Sequence, residues 1–151
     1  MKALSSSLSS IPCFSALHLA DISFLESIVS TEFVEAGQNV FLRGGNADRS
    51  YVILEGTVSL QLPNKESGPL PLMNLNSGEL IGWSWFIPPH QWNFDALALN
   101  HCELLAFDAT SVRRRMDWDN GFGYRVMKSL ALTMHYRMTA TRLQLLRHHD
   151  D

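Results

Sequence analysis

The feature that most constrains this chain is the rhythm of residues 33–107. Short apolar or alternating runs, each closed by glycine or a polar turn, follow one another at intervals of about 8–12 residues. Residues 33–38 read as a strand and turn, and residues 40–45 as a strand ending in two glycines. Residues 50–62 read as two strands joined at Glu55-Gly56. In the second of these Val58, Leu60 and Leu62 alternate with Thr57, Ser59 and Gln61, the pattern of a half-buried strand. Residues 66–71 read as a hairpin loop, and residues 70–75, 94–99 and 102–107 supply three further strands. Such a series predicts a β-sandwich or barrel.

The flanks change period. Residues 12–31 carry apolar residues at mixed spacings of 3 and 4, which predicts helix in pieces with Asp21 and Ser23 as caps. Asp108 is a predicted N-cap for a short helix over 111–116, Gly121-Phe122-Gly123 interrupts, and residues 124–147 form a long helix without Gly or Pro. The 151 residues and 46% hydrophobic content suit one domain over 1–151, divided into N-terminal helices (12–31), a β-roll (32–108) and C-terminal helices (109–147). Along the long helix Met127, Ala131, Met134, Met138, Thr141 and Leu145 recur at spacings of 4, 3, 4, 3 and 4. A heptad seam of this kind predicts a homodimer through the helix; packing on the chain's own domain is the alternative.

Charge is uneven. Residues 1–112 hold 4 Lys/Arg and 11 Asp/Glu (−7), and residues 113–151 hold 8 and 4 (+4), giving the net −3. The basic end is read as a solvated, dipole-complementing helix surface rather than a nucleic-acid footprint. Two distant cysteines, Cys13 and Cys102, predict buried reduced thiols and a cytoplasmic protein, and are too few for an iron–sulfur cluster. The serine-rich start lacks a signal-peptide core, no run is long enough for a membrane span, and the terminal His148-His149-Asp150-Asp151 reads as a solvated tail. No metal site and no catalytic arrangement of residues stands out, so an enzyme is not expected.

The glycines and strands in order resemble the cyclic-nucleotide-binding domain of the Crp/Fnr regulator superfamily. The run is Phe33-x-x-x-Gly37-x-x-Val40-Phe41-x-x-Gly44 with Ala47-Asp48, then Tyr51-x-Ile53-x-x-Gly56-x-Val58-x-Leu60, then Gly78-Glu79-x-x-Gly82. The resemblance covers roughly residues 12–147. It implies a mainly β fold with flanking helices: a double-stranded β-helix, or jelly roll, of about eight strands plus a long C-terminal helix that commonly dimerises. Members that are transcription factors carry a winged helix-turn-helix after that helix. This chain ends at Asp151, so either a stand-alone sensor, without DNA binding of its own and without membrane contact, or a piece of a longer protein is expected.

The resemblance also places a ligand cassette at Gly78, Glu79, Gly82, Trp83, Ser84, Trp85, Phe94, Asp95 and Ala96. In ligand-binding members a Glu that holds the ribose 2′-hydroxyl follows the second glycine, and an Arg-Ser/Thr-Ala run holds the phosphate. Those positions are Trp83 and Phe94-Asp95-Ala96 here, and between Arg49 and Arg113 the only Lys or Arg is Lys65. The resemblance further implies a short helix after Gly82 whose N-terminus faces the phosphate. Loss of the cation, with an Asp added beside it, disfavours cyclic nucleotides. The aromatic cassette either fills the old pocket or lines an apolar one for another small-molecule effector, with Ser84, His90, Asn93 or Asp95 as polar anchors. No cofactor is assigned. The expected function is a non-catalytic sensor or regulatory domain; the alternatives are a cyclic-nucleotide receptor with an atypical site and a ligand-free protein–protein adaptor.

Overall fold

A computed structural model describes residues 8–150, with side chains described over 8–147. The readings of the N-terminal serines and of the final His and Asp side chains lie outside the described residues. Among the described residues seven strands form: β1 (Val29–Val34), β2 (Asn39–Phe41), β3 (Arg49–Glu55), β4 (Val58–Leu62), β5 (Leu70–Leu75), β6 (Asp95–Ala98) and β7 (Cys102–Asp108). They make two antiparallel sheets with non-sequential neighbours, β1-β7-β3 and β2-β6-β4-β5, the crossing pattern of a jelly roll.

The two sheets are covered differently, and the sequence carries the difference. In β7 the residues Leu104, Leu105, Ala106 and Phe107 are all buried, as are Ser50 to Ile53 of β3. One face of this sheet meets the other sheet; the opposite face is roofed by helices, and Phe107 meets Phe14 edge-to-face at 5.7 Å. A strand covered on both faces reads as a continuous apolar run. In β4 the expected alternation fails at Ser59, which is buried and accepts a hydrogen bond from the Gln61 side chain at 3.1 Å.

A 3-10 turn at Pro12–Phe14 precedes α1 (Leu19–Ile28); α2 (Ala109–Trp118) and α3 (Asn120–Asp150) follow β7. Neither Asp21 nor Ser23 is the N-cap of α1. His18 is, and Asp21, the third helical residue, reaches back to accept the His18 N–H at 2.9 Å. Asp108 caps α2 as expected, accepting the Ser111 N–H at 3.1 Å.

The expected break at Gly121-Phe122-Gly123 does not occur, because α3 runs through both glycines. Packing explains why glycine stands there. A Cβ on Gly123 would lie 2.8 Å from the Met116 carbonyl oxygen, so only glycine lets α3 cross α2 this closely. Between them Phe122 is fully buried and meets Phe24 edge-to-face at 5.6 Å.

Candidate functional site

The cassette begins as a continuation of the sheet. Gly78 donates to the Ile53 carbonyl (2.7 Å), Ile53 to that of Glu79 (3.0 Å), and Ile81 to that of Tyr51 (2.9 Å). The Glu79 carboxylate accepts the Asn76 N–H at 2.6 Å, closing the turn that carries Gly78. Leu80 and Ile81 are buried. The chain then turns at Gly82, whose φ of +74° favours glycine and whose missing Cβ leaves room for the Trp92 ring.

The helix expected after Gly82 is absent. Residues 82–90 form isolated turns, with Phe86 donating to the Trp83 carbonyl (3.0 Å) and His90 to that of Ile87 (2.9 Å). Pro88-Pro89, joined by a cis bond, supply no N–H to carry a helix onward. With the helix goes the row of free N–H groups that would have faced an anion.

The cassette aromatics divide. Trp85 and Trp92 belong to the core at 3% and 4% exposure. Trp92 stacks on Phe41, ring centres 3.8 Å apart and planes within 4°, and its backbone pairs with Gly44 and Gly45. Ser84 is buried, Phe94 is half-buried, and Ala96 is buried in β6 opposite Leu60 and Phe41. Asp95 does not project a free charge: its Oδ1 accepts the Arg43 backbone N–H at 2.8 Å and ties β6 to the end of β2. Gly78 and Glu79 line an opening, Trp85 lines a cavity, and Trp83 lies under a cation from elsewhere.

That cation is Arg137 of α3, whose guanidinium carbon sits 5.3 Å from the Trp83 ring centre. It also donates to the Leu80 carbonyl, while its Nε is buried with no hydrogen-bond partner among the described residues. Burial lowers the Arg137 pKa, and the negative charge of Glu79 opposes that shift. Arg113 of α2 similarly donates to the Trp85 carbonyl. Arg125 of α3 holds the buried Asp21 through two bonds, at 2.6 and 3.0 Å. Three of the basic residues read as solvated surface thus face inward.

Arg137 was legible. Phe122, Val126, Ser129, Leu130, Thr133 and Arg137 follow the helical period and form the buried or half-buried stripe of α3. The heptad reading selects a different stripe. Met127, Ala131, Met134, Met138, Thr141 and Leu145 are all exposed among the described residues.

Among the described residues, hollows of different size flank the cassette. A cavity of about 50 Å³ is enclosed by Cys13, Phe14, Trp85, Phe122 and Leu130 among others. A groove of about 360 Å³ lies between the first turn, Gly78-Glu79-Leu80 and α3. A third, of about 560 Å³, runs between β5 and α3. The two larger hollows share Glu79, Tyr136 and Arg137 in their walls. Burial pushes the Cys13 thiol up to about 12 and also raises that of Cys102, so neither is a ready nucleophile. Among the described residues no group of His, Cys, Asp and Glu is placed to hold a metal, and no helix is long and apolar enough to cross a membrane.

The family model for the cyclic nucleotide-binding domain matches residues 31–118, more than half of the chain. The chain belongs to this family. A cyclic nucleotide-binding domain from Methylobacillus flagellatus superimposes with a TM-score of 0.79 at 14% identity, over 97% of this chain and 83% of that one. The sensor domain of the transcriptional regulator DNR from Pseudomonas aeruginosa gives 0.75 at 18% identity, over 91% and 93%. In sequence, the chain is 27% identical over 103 residues to a "Putative potassium channel protein" of Rhodopseudomonas palustris, covering 68% of this chain. The chain spans about a quarter (24%) of that relative's length. The fold is therefore that of a cyclic nucleotide-binding domain, built as antiparallel sheets with a long C-terminal helix.

Proposed function

We propose that this chain is a non-catalytic regulatory module whose effector is not a cyclic nucleotide held in the usual cassette. The observation that carries the reading is the state of the ligand positions. Phe94 is half-buried, Asp95 is committed to the Arg43 N–H, and Trp83 is covered by Arg137. Residues 78–96 contain no Lys or Arg, and the turn after Gly82 offers no helix end. A phosphodiester taken out of water with no cation or amide cradle costs several kcal/mol. Isothermal titration with cAMP and with cGMP is expected to show no saturable heat at micromolar concentration. Micromolar or tighter binding of either would establish a cyclic-nucleotide receptor with an unusual phosphate site instead.

A regulatory role accords with a relative named as a channel and a neighbour that is the sensor domain of a transcriptional regulator. Surface tryptophans in the cassette would have favoured a ligand-free adaptor; Trp85 and Trp92 are buried and Trp85 lines the small cavity, which supports a sensor. The output is assigned to α3, whose exposed seam pairs two copies of the chain. Met134 and Met138 are 40% and 52% exposed, so the seam is available. Sedimentation at micromolar concentration is expected to give a dimer mass that Met134→Glu converts to a monomer; a wild-type monomer would sink the pairing. The unpaired thiols of Cys13 and Cys102 support a cytoplasmic setting.

A further inference from the structure

The groove between β5 and α3 contains a charge that the fold itself does not pair. Arg125 and Arg137 lie on the same helix. Arg125 meets a buried carboxylate through two hydrogen bonds. Arg137 has no carboxylate within ion-pair distance among the described residues; it has one backbone carbonyl, one ring face, and a buried Nε–H without an acceptor. A guanidinium removed from water in this way gains from any anion that reaches it. At about 560 Å³ the adjoining groove falls within the range of about 300–1,000 Å³ usual for small-ligand sites. Its walls are mixed, with Pro71, Leu72 and Met73 on the strand side and Tyr136, Ala140 and Gln144 on the helix side.

We infer that this groove binds a small monoanionic organic acid, its acidic group on Arg137 and its apolar body against Leu72 and Met73. The limit to one charge comes from Glu79. Its carboxylate lines the same groove beside the single cation, so Arg137 holds one negative charge of a ligand while a second would meet no cation and would be set against Glu79. The inference deepens the reading of the chain as a sensor for something other than a cyclic nucleotide, and rests on it. It also moves the anion's partner from the cassette to the helix, so that a bound acid would touch α3 directly.

The test uses anilinonaphthalene sulfonate, an amphipathic monoanion, and its neutral analogue phenylnaphthylamine, with the full chain. Saturable binding of the sulfonate is expected, with energy transfer from tryptophan. Arg137→Gln should weaken it roughly tenfold or more while changing the neutral probe's affinity by less than about twofold. Arg137→Lys should retain most of the binding. Glu79→Gln, which keeps an acceptor for the Asn76 N–H, should tighten it. These two variants hold the proposal to account if Arg137→Gln unfolds. Equal affinity of the two probes for the wild type would overturn the proposal, as would Arg137→Gln binding the sulfonate as tightly as the wild type or Glu79→Gln failing to tighten it. Displacement of the sulfonate by cAMP at micromolar concentration would refute the preceding functional reading while leaving the groove assignment intact.

Discussion

The two halves of α3 are both rich in apolar residues, yet they meet opposite fates. Up to residue 130, Phe122, Gly123 and Leu130 are buried and Arg125 is clamped to Asp21. Over residues 131–147 only Thr133 and Arg137 are even half-buried. Leu132, Met134, Tyr136, Met138, Leu143 and Leu145 stand 40–67% exposed. The first half is a wall of the domain, shaped by a close crossing with α2. The second is an arm whose apolar residues stand largely exposed among the described residues. Burial of a helix is decided by the surface opposite it, and composition alone does not report that surface.

This contrast can be broken at several points. Phe122→Ala removes a fully buried ring and is expected to cost about 3–5 kcal/mol in urea unfolding, enough to threaten a domain of this size. Gly123→Ala should cost about 1–3 kcal/mol, because the added methyl meets the Met116 carbonyl. Asp21→Asn breaks the clamp and carries a pH signature. Burial pushes the Asp21 carboxyl up, but the Arg125 guanidinium and the His18 N–H outweigh it and hold the group below its ordinary 3.8. The carboxylate's stabilisation is therefore complete above the unfolded value and is lost as pH falls through the lower folded value. The wild type's stability advantage over Asp21→Asn should shrink below pH 3.8 and not at pH 5–7. Met138→Ser, in the arm, should change monomer stability by no more than about 0.5 kcal/mol. A loss near that of Phe122→Ala would show that the arm packs on its own domain after all.

Much of the fold was legible because β strands announce themselves through alternation and glycine. The joint at Glu55-Gly56 and the cap at Asp108 appear where the residues place them, whereas β1 begins at Val29, inside the stretch 12–31 read as helical. Less legible were features set by contact between distant segments. Gly121 and Gly123 read as helix breakers, but their meaning lies in the carbonyl of Met116 facing Gly123. Asp95 read as a charge in the pocket, but it serves a backbone N–H at Arg43. The missing cassette arginine was visible in the sequence, whereas the guanidinium over Trp83 comes from a residue more than fifty positions downstream. A helical-period reading of Phe122, Val126, Ser129, Thr133 and Arg137 would have found it; the heptad reading selected a different stripe.

Arg113 and Arg137 each grasp a carbonyl of the cassette, at Trp85 and Leu80, from two different helices. A displacement of the cassette must therefore be shared with both helices or break one of these bonds. Thermodynamic linkage makes the relation run both ways. If pairing of α3 with a second copy shifts Arg137, it alters the affinity for whatever the cassette and groove hold. By the same factor, that occupant alters the pairing. The effect of pairing on that affinity and the effect of the occupant on pairing would then be one coupling free energy, measurable from either end.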